Sequence, residues 1–200
     1  MMALEKLDTR IRKEQIIEAA LGLIASHGVR RLSMTAIARR VGLVPSALYR
    51  HFGSKQEILE AAVQLVGQRA GENLKAVRKL TPNSLDRMEL LLAGIIKMIR
   101  DLHAMPRIIF SEGISTGHPE AKRQAYELLK GVLKGIEEII LEGQEQGEIR
   151  ADLDAKSLSV VFWGMIPATV ILWHLSDGQF DVTRHAEKSW ELFREGIRAS

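Results

Sequence analysis

Two groups of residues have the types and spacing to act on another molecule. Gly113-Ile114-Ser115-Thr116-Gly117 fits the G-x-S-x-G pattern of a hydrolase nucleophile elbow, and Asp152 or Asp154 followed by His174 or His185 preserves an order of nucleophile, acid and base. The segment from Ser33 to Lys55 instead gathers hydroxyls, Tyr49, His51 and several arginines, the donors that contact phosphates and base edges. The elbow needs a strand feeding a sharp turn in a parallel sheet, and the chain shows no alternation of strands and helices. Ser115 is therefore only a remote alternative, and the chain is not expected to be an enzyme. The absence of Cys excludes a thiol nucleophile, a zinc ribbon and an iron–sulfur centre. The six histidines show no H-x-x-x-H spacing, and no G-x-x-x-x-G-K-S/T loop is present, so neither a metal nor a cofactor is expected.

Charge along the chain favours the second group. Residues 1–55 hold ten Lys and Arg against four Asp and Glu, whereas the remainder carries eighteen against twenty-one. A basic head on a mildly acidic body is the pattern of a polyanion-binding module joined to something else. With 46% apolar and 26% charged residues over 200 positions, the chain can bury a sizeable core. The first twelve residues are charged and lack the apolar run of a signal peptide, and cysteine is absent, so the reading places the chain in the cytoplasm.

The elements that position these residues read as helices throughout, and the expected fold class is all-α. A first helix is predicted over Arg10–His27, with Ile16, Ala20, Leu23 and Ile24 as its apolar stripe and Gly28 ending it in the left-handed conformation. Ser33 should cap a short helix that Gly42 stops, and Pro45 should open a second short helix reaching about Phe52. A long helix starts at Lys55 and ends before Thr81-Pro82-Asn83. Further helices are predicted over Leu85–His103, Pro106–Ser115, Pro119–Gln146, Ala155–Ser176 and Val182–Ala199.

Two short helices with a Gly-containing turn, followed by a long helix, match the helix-turn-helix pattern. Packing through Ile37, Ala38, Val41, Leu43 and Leu48 would leave Ser46, Ala47, Tyr49, Arg50 and His51 on the outer side of the second helix. Arg50 is the long cationic donor there and the first choice for reading guanine, while Tyr49, His51 and Lys55 suit phosphate. The run Ser33-Met-Thr-Ala-Ile-Ala-Arg-Arg-Val-Gly-Leu-Val-Pro-Ser-Ala-Leu-Tyr-Arg-His-Phe-Gly-Ser-Lys55 resembles the DNA-binding motif of TetR/AcrR-type transcriptional regulators, most tellingly at Leu48–Phe52 with Lys55. The resemblance covers roughly the first third of the chain. It implies a DNA-binding domain over 1–55, including the start of the linking helix, and a helical ligand-binding and dimerisation domain over 56–200. The DNA-binding set is then Ser33, Thr35, Pro45, Ser46, Ala47, Tyr49, Arg50, His51 and Lys55. At position 44 this chain departs from the family: Val44 stands where Ser or Thr usually caps the reading helix.

From Ser157 to Ser176 runs a stretch without a formal charge, long enough to span a bilayer. Pro167, Gly164, four hydroxyls and His174 lower its hydrophobicity, so no membrane partner is expected; burial between subunits is the preferred reading. Val160, Gly164, Ala168 and Ile171 on this helix, with Ala186, Trp190, Phe193 and Ile197 on the last, form the expected homodimer interface. Leu92, Ile96, Ile99, His103, Phe110, Ser111, Trp163 and Met165 are the candidate lining for a largely apolar effector that remains unidentified. Together these readings describe a homodimeric repressor that binds double-stranded DNA at a pseudo-palindromic operator and is released by a small molecule. The rivals are a membrane-anchored or an architectural DNA-binding protein without an effector.

Overall fold

The computed structural model describes residues 9–101 and 119–199. Within them lie eight α-helices and one 3-10 turn: α1 Thr9–His27, the 3-10 turn Val29–Arg31, α2 Met34–Val41, α3 Pro45–Leu48, α4 Lys55–Leu80, α5 Ser84–Asp101, α6 Pro119–Glu145, α7 Ala155–Leu175 and α8 Val182–Ile197. The described residues contain no strand; their one β-bridge pairs Ile149 with Arg198 and ties the α6–α7 connection to the end of α8. The expected element over Pro106–Ser115, and with it Ser115, lies outside the described residues.

Contacts divide the chain inside α4, between Leu65 and Val66, so this helix carries residues of two compact units. In the first unit, α1 packs on α2 and α2 on α3. Ile16, Ala20 and Ile24 of α1 are almost fully buried, as the helical period requires, and Ile17 and Leu21 widen the stripe. Gly28 follows α1 with φ 79 and ψ 161, a positive φ combined with extended ψ instead of the expected left-handed helix geometry. That region is open essentially to glycine, so the residue type was right and the turn form different.

The second unit buries one continuous core from the latter half of α4 through α8. It includes Leu74, Met88, Leu91, Ile95, Ile136, Ile139, Phe162 and Trp190. Phe162 stands edge-on to Trp190 with ring centroids 6.2 Å apart and lies 5.9 Å from Phe193, which locks α7 to α8. At one end, Arg78 of α4 and Arg87 of α5 both grip the Glu142 carboxylate of α6, Arg87 at 2.5 Å. Glu148 accepts from Asn83 Nδ2 at 2.7 Å and from the Ser84 N–H at 2.6 Å, satisfying the start of α5.

Helix α7 is, among the described residues, the one helix long and apolar enough to cross a membrane, with a mean hydropathy of 1.7. Its buried hydroxyls need no outside partner: Ser159 Oγ donates to the Lys156 carbonyl and Thr169 Oγ1 to the Met165 carbonyl, each at 2.7 Å. Ser159, Phe162, Ile166, Thr169 and Val170 turn into the core. The opposite side, with Val160, Val161, Gly164, Pro167, Ala168, Ile171, Leu172 and Leu175, is exposed.

Candidate nucleic-acid interface

The helix-turn-helix is assembled by local rules that the sequence carries. Ser33 Oγ accepts from the Ala36 N–H at 3.2 Å and caps α2. Gly42 ends α2 with φ 75 and ψ 29; its N–H donates to the Arg39 carbonyl at 3.3 Å and the Leu43 N–H to the Ala38 carbonyl at 2.8 Å, the paired bonds of a Schellman stop. Pro45 stands at the first position of α3, where its missing N–H leaves nothing unsatisfied.

The second short helix is shorter than expected. Regular α geometry covers Pro45–Leu48, after which i→i−3 bonds from Arg50 to the Ala47 carbonyl at 3.3 Å and from His51 to Leu48 at 2.9 Å alternate with the i→i−4 bond from Phe52 to Leu48 at 3.1 Å, so the helix gives way to turns. Leu48 is fully buried and Phe52 nearly so, and these two side chains pin the segment to its own unit. Lys13 of α1 lies 5.2 Å from the Phe52 ring centroid and holds the far end by a cation–π contact.

Pinning Leu48 and Phe52 inward presents Pro45, Ser46, Tyr49 and Arg50 outward, all exposed, with Ala47 and His51 half-buried beside them. Thr35 is exposed on α2. Ser33 is exposed too, but its oxygen already serves the cap. Lys55 is half-buried at the start of α4. The local entry into α4 was not anticipated: Ser54 Oγ accepts from the Glu57 N–H at 3.2 Å, and the Glu57 carboxylate takes the Gly53 N–H at 2.6 Å. This is a variant of the capping box, signalled in the sequence by Ser54-x-x-Glu57, in which the Glu57 carboxylate takes the N–H of the residue before the cap. Its effect is to fix the turn from which α4 starts at Lys55.

Electrostatics follow from composition. No Asp or Glu occurs between Glu18 and Glu57, and within that span Arg30, Arg31, Arg39 and Arg50 are exposed without a carboxylate partner among the described residues. Arg40 lies along α1, its guanidinium close enough to Gly22 that a Cβ there would sit 2.9 Å from Nη2. A segment without acidic residues that exposes several arginines suits a duplex groove flanked by phosphates.

The other predicted sets fare unevenly. On α7, Val160, Gly164, Ala168 and Ile171 are all exposed, as an interface requires. On α8, Ala186, Trp190 and Ile197 are buried in the core of their own unit, and Phe193 is half-buried against it. The physical reason is that an amphipathic helix turns its principal apolar stripe to its own core. What α8 shows to the outside is Leu192, 78% exposed. Leu92, Ile96 and Ile99 are buried core residues of α5, and Trp163 and Met165 are half-buried against the same core. His103, Phe110 and Ser111 lie outside the described residues. The residues of the hydrolase alternative have other contacts: Asp152 pairs with Arg150 at 2.7 Å, Asp154 caps α7 through the Ser157 N–H at 2.8 Å, and the His185 ring lies tilted against Phe180 with centroids 5.2 Å apart.

Comparison with known proteins agrees with this anatomy. The family model described as bacterial regulatory proteins, tetR family, matches residues 16–69, and the one described as YsiA-like protein, C-terminal region, matches 69–196. The chain is 25% identical over 186 residues to the fatty acid metabolism regulator protein of Bacillus subtilis, covering 92% of this chain and 94% of that protein. Among solved structures it superposes on the fatty acid degradation regulator FadR of Bacillus halodurans with a TM-score of 0.79 at 23% identity, covering 94% of this chain and 97% of that one. It superposes on FadR of Bacillus subtilis in complex with stearoyl-CoA with a TM-score of 0.76 at 25% identity, covering 92% and 99%. The α2–turn–α3 unit, the all-helical body and the match of both family models along the chain lead to one conclusion: this protein belongs to the TetR family of helix-turn-helix, DNA-binding transcriptional regulators.

Proposed function

We propose that this regulator is a homodimeric repressor that leaves its operator when a small, largely apolar molecule binds the unit from Val66 onward. The observation that carries the reading is the outward set Pro45, Ser46, Tyr49 and Arg50, held by the buried Leu48 and Phe52 in a segment without acidic residues. Arg50 takes the base-reading role, because a bidentate contact to guanine O6 and N7 is the commonest specific contact in the major groove. Tyr49, His51 and Lys55 take phosphates and set the register. A two-fold dimer places two such segments in successive major grooves, about one turn or ~34–36 Å apart, over a pseudo-palindromic site. The exposed face of α7 supplies the subunit contact.

An acyl thioester of coenzyme A is the first effector to test, because the Bacillus subtilis FadR structure holds stearoyl-CoA. Release follows if the effector binds better to a dimer whose reading segments misfit the duplex, and α4, which carries residues of both units, is the element to transmit that bias. The test is selection of bound duplexes from a random pool by the purified chain, followed by titration with stearoyl-CoA. The reading requires enrichment of two inverted half-sites and loss of the complex at saturating effector. Absence of any enriched sequence overturns the DNA-reading part, and indifference to acyl-CoA overturns that choice of effector.

A further inference from the structure

Val44 is 64% exposed at the start of α3, in extended backbone with φ −74 and ψ 147, and its side chain makes no cap hydrogen bond. Two features lessen the need for a polar cap at this position. The Val44 carbonyl itself accepts the Ala47 N–H at 3.0 Å and the Leu48 N–H at 3.3 Å, and Pro45 has no N–H to satisfy. An isopropyl group cannot hydrogen-bond a phosphate. What it offers is an apolar contact, standing in water beside the exposed Pro45, Ser46, Tyr49 and Arg50 in a stretch of sequence with no acid between Glu18 and Glu57. Among the groups that bases display in the major groove, the thymine C5-methyl is the apolar one.

We propose that Val44 is a specificity-determining residue that selects thymine, packing its isopropyl group on the C5-methyl of one thymine in each half-site. The proposal rests on the reading that this segment enters the groove. It gives the chain a second means of base selection beside the cation of Arg50, one blind to hydrogen bonds and sensitive to a single methyl.

The test keeps the full chain and changes the DNA. In the selected duplex each thymine is replaced in turn by deoxyuridine, which removes the methyl and nothing else, and affinity is measured for the unaltered chain and for Val44→Ser, whose melting temperature is checked against the parent. At one thymine the unaltered chain should lose about fourfold in affinity, the worth of burying one methyl-sized group, and about fifteenfold when both half-sites are changed. Val44→Ser should bind the thymine and deoxyuridine duplexes equally while still preferring them to scrambled sequence. No loss at any thymine with the unaltered chain, or the same loss in Val44→Ser, overturns the proposal and leaves groove reading by Arg50 intact. A chain that does not distinguish the selected duplex from a scrambled one overturns the groove reading itself, and this proposal with it.

Discussion

Introducing a charge at Ala168 tests what the exposed side of α7 is for. Val160, Val161, Ile171, Leu172 and Leu175 are 53%, 55%, 37%, 44% and 74% exposed, equivalent together to about two and a half fully exposed aliphatic side chains. Covering them at ~2 kcal/mol per side chain contributes ~5 kcal/mol for each subunit and ~10 kcal/mol for a symmetric pair, enough to offset the lower range of association costs. Gly164 and Ala168 lie within the same face and let two helices approach closely. A glutamate at position 168 must therefore either break the contact or lose much of its hydration. At ~2 kcal/mol for each of the two carboxylates, Ala168→Glu should raise the dimer dissociation constant about a thousandfold. Sedimentation velocity over a concentration series, without detergent, reads this directly. Because Ala168 is exposed in the subunit, the helical circular dichroism of the variant should match that of the parent. A variant that remains dimeric at the parent's concentrations refutes the assignment of this face. A parent chain that is monodisperse only in detergent would favour a membrane-anchored protein instead.

Three further outcomes follow from particular contacts. Arg50→Ala should relax base preference at one position per half-site by about 1–3 kcal/mol, while Lys55→Ala should weaken all duplexes alike and flatten the salt dependence by about one unit per half-site; equal losses on every sequence from both would overturn the division of roles. Gly42→Ala meets no neighbour within 4 Å of the added Cβ, so its cost is the strained backbone alone, about 1–2 kcal/mol in urea denaturation of a site whose φ is 75; an unchanged midpoint would contradict the Schellman geometry. The Asp154 carboxyl is held below its ordinary value of 3.8 by the hydroxyl and backbone N–H of Ser157. A depressed folded-state pKa stabilises above the unfolded pKa and loses that contribution as pH falls through the folded value. The melting difference between the parent and Asp154→Ala should therefore narrow as pH drops below about 4, and a gap that stays constant with pH would show that the cap does not depend on ionisation.

The first unit was largely legible because its signals are local. Ser33 and Gly42 bracket α2 through bonds that span no more than five residues, and Pro45 marks the start of α3 by its own ring. The length of α3 was not legible: the mixed i→i−3 and i→i−4 turns after Leu48 accompany burial of both Leu48 and Phe52, a tertiary demand that periodicity does not express. Helix α8 shows the limit more sharply. Its spacing gave Ala186, Trp190 and Ile197 correctly as one face but could not say whether that face meets its own subunit or another, since both surroundings are apolar. On α7 both sides are apolar, and burial of Ser159, Phe162, Ile166, Thr169 and Val170 is what separates core from outside. The bridge between Ile149 and Arg198 and the grip of Arg78 and Arg87 on Glu142 join residues far apart in the chain and leave no local trace.

Site-directed photocross-linking puts the central question most directly: whether the outward side of α3 faces base edges. A benzophenone side chain is placed at Tyr49, which is 54% exposed, and in a control chain at Tyr126 of α6, which is 61% exposed. With the selected duplex bound and irradiated, the adduct from position 49 should map to nucleotides inside each half-site, and position 126 should give none. A bound complex that yields no adduct from position 49, or adducts from position 126 alone, would contradict the account.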